Sequence, residues 1–112
     1  MNLPNFTKMS NDELMAFWSR YTRPNRKEAR ELVGQRTGYV VAVQALAGYA
    51  CNLAVRRKCA ERGDDTGAAI YDYACNLSLG RLPTDVREVL EAQVRECTKE
   101  NDVRVSLNVR SC

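Results

Sequence analysis

The chain has 112 residues, of which 45% are hydrophobic and 28% are charged, and this composition fits one globular domain with an ordinary polar surface. It contains no histidine, which excludes Ser-His-Asp and Cys-His catalytic arrangements and removes the commonest metal ligand. The net charge of +3 is uneven, because residues 1–63 carry eleven Lys and Arg against five Asp and Glu, whereas residues 64–112 carry six against nine.

Two helices are predicted in the first third of the chain. Ser10 and Glu13 have the spacing of a capping box and start a helix that ends near Thr22. Its apolar positions recur at i, i+3, i+4 and i+7 and are Leu14, Phe17, Trp18 and Tyr21. We expect the Trp18 ring to anchor this helix to the body of the fold. A shorter helix is predicted from Asn25 to about Val33.

The longest predicted helix runs from Tyr39 to about Arg62. Among residues 39–55 only Gln44, Gly48 and Asn52 are not apolar. A helix that is apolar nearly all round belongs in the middle of a bundle or in a membrane. The short length of the apolar run, its alanine content and its internal Gln and Asn favour the bundle over a membrane span.

Two more helices complete the predicted bundle. Gly63 is a typical helix stop, and the acidic residues after it start a helix that ends near Leu79. Pro83 and Thr84 begin the last helix, whose apolar face is formed by Val86, Val89, Leu90, Val94 and Cys97. The sequence therefore predicts a mostly α fold, a compact four- to five-helix bundle over residues 1–102.

One pentapeptide occurs twice, as residues 49–53 and 73–77, both with the sequence Tyr-Ala-Cys-Asn-Leu. Each copy lies on a predicted helix, and the two helices are joined by the turn at Gly63. Tyr, Ala and Leu share one face within each copy. We therefore expect an antiparallel helix pair that offers similar faces to a common core.

Residues 103–112 are predicted to form a separate C-terminal strand. Apolar and polar residues alternate there, which is typical of a half-buried strand. A lone strand needs a partner for its backbone groups, so we expect it to pair in trans with a second copy or with another protein. The residues expected to face that partner are Val103, Val105, Leu107 and Val109.

A basic segment offers an alternative function. Clustered cations with a neighbouring aromatic residue suit contact with a phosphate backbone. The candidate residues are Arg20, Arg23, Arg26, Lys27, Arg30 and Arg36. Glu28 and Glu31 interrupt the cluster and can pair locally with its cations, and no known nucleic-acid-binding motif accompanies it.

No catalytic or cofactor motif is present. The five cysteines form no Cys-x-x-Cys pair, and the sequence before them has no secretory leader pattern, so we expect free thiols in a reducing, cytoplasmic setting. The chain also lacks the P-loop, dinucleotide-binding and zinc-protease signatures. We therefore expect no enzyme activity, no cofactor and no metal.

The central part of the chain, residues 38–83, is similar to short uncharacterised helical proteins of environmental bacteriophages. The similarity is carried by Gly38-Tyr39-Val40, Leu46-Ala47, Tyr49-Ala50, Asn52-Leu53, Arg62-Gly63-Asp64, Tyr71 and Arg81-Leu82-Pro83. This resemblance implies a phage-encoded accessory or structural component, in the host cytoplasm or the virion. Together with the residues, it leads us to expect a non-enzymatic interaction or assembly protein that forms a homo-oligomer.

Overall fold

In this computed structural model, residues 1–103 are described, with side chains as far as residue 100. A 3₁₀ turn at Phe6–Lys8 comes before five α-helices. The helices are α1 (Asn11–Tyr21), α2 (Arg26–Val33), α3 (Tyr39–Glu61), α4 (Asp65–Gly80) and α5 (Thr84–Val103). The prediction of a mostly helical, compact fold of four to five helices is confirmed within this range, where the structure has five.

The predicted helix ends are confirmed by the hydrogen bonds that cap them. The Ser10 hydroxyl accepts from the Glu13 N–H at 3.1 Å, and the Glu13 carboxylate accepts from the Ser10 N–H at 2.9 Å. Asp64 caps α4 by accepting from the Gly67 N–H at 2.9 Å. Gly63 has a φ of 73°, the left-handed conformation that glycine adopts most readily, and it separates α3 from α4.

Helix α3 is the central element of the bundle, as its nearly continuous apolar surface predicts. Helices α1, α2 and α4 all pack against it. Its buried residues, most of them on one broad face, are Ala42, Val43, Leu46, Ala47, Tyr49, Ala50, Leu53, Ala54 and Cys59. Gln44, Gly48 and Asn52 interrupt its apolar surface, and the two polar side chains among them contact neighbouring residues. Gln44 donates to the Thr22 carbonyl at 3.1 Å, and Asn52 donates to the Ser78 hydroxyl at 3.5 Å.

The N-terminal residues form part of the core. Phe6 is fully buried, and its ring meets Phe17 and Tyr49 edge-on at centroid distances of 5.0 and 5.7 Å. Gln93 of α5 fixes this segment by accepting from the Phe6 N–H at 3.1 Å and donating to the Pro4 carbonyl at 2.8 Å. The 3₁₀ turn therefore joins α5 to the rest of the bundle.

The expected role of Trp18 is wrong. Its side chain is 39% exposed, whereas Leu14 and Phe17 on the same helix are buried. The buried ring that completes this part of the core comes from Phe6, which precedes the helix. Helical periodicity within α1 could not indicate a ring that comes from outside the helix.

The C-terminal strand expected over residues 103–112 is wrong at its first residue, and its other expected partner-facing residues are not described. Val103 is the last residue of α5 and not the first residue of a strand; Val105, Leu107 and Val109 lie outside the described residues.

The expectation of free thiols is confirmed for three cysteines, Cys51, Cys59 and Cys75. Cys97 is disulfide-bonded, so the expectation of free thiols is wrong for that residue.

Candidate interaction surface

Helix α4 has an exposed face that is almost entirely uncharged. We call this surface the outer face of α4, and it comprises seven exposed residues at helical spacing: Thr66, Ala69, Ile70, Tyr73, Asn76, Leu77 and Gly80. Three of them are large and apolar, and their exposed fractions are 59% for Ile70, 65% for Tyr73 and 47% for Leu77. Spacings of three and four residues place them side by side along the helix.

The opposite side of α4 explains why these large side chains point away from the core. Cys75 and Ser78 are buried there. A Cβ atom added at Gly48 of α3 would lie 3.7 Å from the Ser78 hydroxyl oxygen, so the two helices approach closely through small side chains. Helix α4 packs chiefly against α3, and its larger residues remain outside that contact.

The expectation that the repeated pentapeptide offers similar faces to one core is wrong. Tyr49 and Leu53 of the first copy are 3% and 1% exposed, whereas Tyr73 and Leu77 of the second are 65% and 47% exposed. The reason is the position of each helix. Helix α3 has neighbours on several sides, and they cover the face that carries Tyr49 and Leu53. Helix α4 has one principal neighbour, which takes the Cys75 side.

The scarcity of charged residues in α4 indicates this surface in the sequence, although the repeated pentapeptide predicted that the same residues face the core. Between Thr66 and Gly80 the only charged residue is Asp72. A surface helix of this length normally presents a charged or polar face to water. Tyrosine is enriched where one protein contacts another, and charged residues are depleted at the core of such contacts. The outer face of α4 therefore has the composition of a contact surface.

A separate feature, which is concave, lies among α3, α4 and α5. It is an open cleft of about 670 Å³, and its lining includes Tyr49, Arg56, Asp72, Cys75, Arg87, Glu91 and Arg95. Several of its charged groups are already paired with one another. Arg56 and Asp72 form an ion pair at 2.8 Å, and Arg87 and Glu91 form one at 3.3 Å.

The thiol and the buried phenol that line this cleft are not activated as nucleophiles or bases. Burial raises the pKa of the Cys75 thiol to about 11. Burial also raises the pKa of the Tyr49 hydroxyl to about 12. Both groups are therefore protonated near neutral pH, the opposite of what a nucleophile or general base requires.

Three of the six cations of the basic segment, Arg20, Arg30 and Arg36, make contacts within the chain. Arg20 is paired with Glu28 at 3.1 Å, as the interrupting glutamates suggested, and its guanidinium also lies 5.3 Å from the centre of the Tyr21 ring. Arg30 lies 5.7 Å from the centre of the Tyr39 ring. The other residues with exposed side chains in this segment are Arg23, Arg26 and Lys27.

Arg36, the sixth cation, faces another element. Its guanidinium donates two hydrogen bonds to the Asp85 carboxylate, at 2.6 and 2.8 Å, at the start of α5. This bidentate pair holds the pKa of Asp85 at about 2, below its ordinary value of 3.8. Arg36 thus joins the connection between α2 and α3 to α5, which is a structural role.

Comparison with known proteins adds no relative, because no protein family, curated protein or solved structure matches the chain. Among the described residues, no three or more Cys, Asp or Glu side chains converge as metal ligands would. No helix within residues 1–103 has both the length and the apolar character needed to cross a bilayer.

Proposed function

We propose that this chain is a non-enzymatic interaction protein that docks another protein surface on the outer face of α4. The observation that carries the proposal is the exposure of Ile70, Tyr73 and Leu77 on one uncharged helix face. Contiguous apolar patches of this kind are uncommon on monomeric proteins and mark contact sites.

The energetics favour a contact that includes these three side chains. Fully burying one such side chain contributes about 1.5 to 3 kcal/mol, so covering the exposed parts of all three contributes roughly 2.5 to 5 kcal/mol. Association itself costs at least about 4 kcal/mol. The outer face of α4 is therefore the centre of a contact that also includes neighbouring residues.

The non-enzymatic part of the proposal is supported by the chemistry of the cleft. Its thiol and its buried phenol are both held in their protonated forms, and most of its charged groups are neutralised by one another. The resemblance of residues 38–83 to small phage proteins adds an expected setting, in which the chain is an accessory component of a larger assembly.

Site-specific photocrosslinking tests this proposal without knowledge of the partner. A photoreactive phenylalanine analogue replaces Tyr73 in the full-length chain, expressed in cells of its source organism. The matched control carries the same analogue at Lys27, an exposed position on α2. We expect a discrete protein adduct from position 73 and none from position 27. No adduct at 73, or equal adducts at both positions, would contradict the proposal.

A further inference from the structure

We propose that the cleft among α3, α4 and α5 binds a small organic anion, in which a carboxylate or phosphate group is joined to an apolar body. This site is separate from the outer face of α4, so the inference goes beyond the proposed function and does not depend on it. Three observations carry it: a buried hydroxyl without a partner, an excess of guanidinium groups, and apolar side chains beside them.

The size and position of the cleft suit such a ligand. Its volume is about 670 Å³, within the range of about 300 to 1,000 Å³ that is typical of small-molecule sites. Helix α5 packs chiefly against the 3₁₀ turn at Phe6–Lys8, and α4 packs chiefly against α3. The cleft lies between these two packed units, so a ligand in it contacts all three helices.

The Tyr49 hydroxyl is an unused hydrogen-bond donor in this cleft. Tyr49 is only 3% exposed, and none of the described residues forms a hydrogen bond with its hydroxyl. The hydroxyl interacts electrostatically with Arg56, Asp72 and Cys75, which line the same cleft, and burial raises its pKa to about 12, so it stays protonated. Buried polar groups normally have a partner. An acceptor atom of the ligand supplies one here.

Arginines outnumber acidic residues in the lining of the cleft. Arg56, Arg87 and Arg95 stand against Asp72 and Glu91. Two of the arginines pair with the two carboxylates, whereas Arg95 is exposed and forms no ion pair with another described residue. The lining therefore carries one positive charge that its own side chains do not neutralise, which favours an anionic ligand over a neutral or cationic one.

The cations of α5 are placed to hold an oxyanion together. Arg87, Glu91 and Arg95 follow one another at intervals of four residues, so their side chains are neighbours on one face of the helix. Arg87 and Glu91 are both partly exposed, and exposed pairs of this kind are weak. A carboxylate or phosphate between the two guanidinium groups can accept charge-assisted hydrogen bonds from both.

Apolar side chains lie beside these charges. Val94 precedes Arg95 on α5, and Leu79 of α4 also lines the cleft. Val94 is 38% exposed, so a ligand body that covers it removes apolar surface from water. Charge alone attracts any anion, whereas this combination favours an anion with an apolar body.

A titration followed by nuclear magnetic resonance tests the site in the full-length chain. The probes are naphthoate, which carries a carboxylate, and naphthyl phosphate. Naphthamide is the neutral counterpart, and inorganic phosphate lacks the apolar body. We expect both naphthyl anions to shift the backbone amide signals of cleft residues with dissociation constants of about 1 mM or lower. We expect either control compound to bind at least about tenfold more weakly.

Two substitutions test the side chains on which the argument depends. Arg95→Gln removes the excess cation, so we expect the dissociation constant of both anions to rise about tenfold. Tyr49→Phe removes only the hydroxyl, so we expect a rise of about threefold to tenfold. Because this hydroxyl has no partner in the described chain, the urea midpoint of Tyr49→Phe should not fall. A purely structural hydroxyl gives the reverse result, a lower midpoint with unchanged binding.

Matched controls carry the same chemical changes away from the cleft. Arg26→Gln alters an exposed cation on α2, and Tyr39→Phe removes a hydroxyl at the start of α3. Both variants should bind the two anions as tightly as the wild type does.

The probe that binds more tightly distinguishes the two ligand classes. Tighter binding of naphthoate assigns a carboxylate and tighter binding of naphthyl phosphate assigns a phosphate ester, and either result supports the site. Absence of shifts in the cleft up to about 10 mM probe, or shifts confined to Ile70 and Tyr73 on the outer face of α4, would overturn it. Equal binding of naphthamide or of inorganic phosphate would also overturn it, as would dissociation constants that neither Arg95→Gln nor Tyr49→Phe changes.

Discussion

Phe6 is the single residue on which the arrangement of the N-terminal segment depends most. Its ring is fully buried and lies edge-on to two other aromatic rings, one from α1 and one from α3. Removing it leaves a cavity where three elements meet. Trp18 is larger but 39% exposed, so its removal takes away much less buried surface.

We therefore expect Phe6→Ala to lower the free energy of unfolding by about 3 to 5 kcal/mol. Trp18→Ala is the comparison and should cost about 1 kcal/mol, which is typical of a partly exposed position. Urea denaturation followed by circular dichroism measures both values. A loss from Trp18→Ala as large as that from Phe6→Ala would show that Trp18 anchors α1 after all.

At the scale of elements, the Arg36–Asp85 pair is the main ionic contact between the α2–α3 connection and α5. The pKa of Asp85 is lowered from 3.8 to about 2 by the hydrogen bonds from Arg36. A carboxyl group whose pKa is lower in the folded state stabilises the fold fully above its ordinary pKa, and this stabilisation is lost as the pH falls towards the folded value.

This linkage predicts a specific pH dependence. Between about pH 4 and pH 2 the wild-type chain should lose stability, and Asp85→Asn should show a shallower decline over the same interval because it has no carboxylate to protonate. Urea midpoints measured across that interval provide the test. Asp12→Asn, at an exposed first-turn position of α1, is the control and should follow the wild type. Equal slopes in all three chains would contradict the role of the pair.

The elements themselves could largely be predicted from the sequence, because their ends depend on local chemistry. The Ser10–Glu13 capping box and the left-handed Gly63 turn need no tertiary information, and both lie where the sequence indicates. The rotation of α4 about its axis could not be predicted in this way. It depends on how closely α3 approaches Cys75 and Ser78, which is a property of two helices together.

The candidate surface was missed for the same reason. Tyr73 and Leu77 repeat the pattern of Tyr49 and Leu53, and an apolar stripe normally marks a core face. The repeat indicates an apolar face on each of the two helices. It does not indicate whether that face is buried within the chain, since burial depends on how many neighbours each helix has.

At the scale of the whole molecule, the bundle is a central helix covered on several sides, with one peripheral helix whose outer face is left apolar. The buried thiol and phenol of the cleft remain protonated, and half of the basic segment makes contacts within the chain. Among the described residues, the outer face of α4 is an exposed apolar surface that a partner could cover. The central claim of this account is that this face is covered when the protein works.

Hydroxyl-radical footprinting is the measurement that tests this claim most directly. Oxidation of Tyr73 and Leu77 is compared between the dilute purified chain and the chain inside cells, with exposed Trp18 as the internal reference. We predict that Tyr73 and Leu77 react readily in the dilute chain and are protected at least about fivefold in cells relative to Trp18, as burial in an interface requires. If Tyr73 keeps the same reactivity relative to Trp18 in both settings, the outer face of α4 is not an interaction surface.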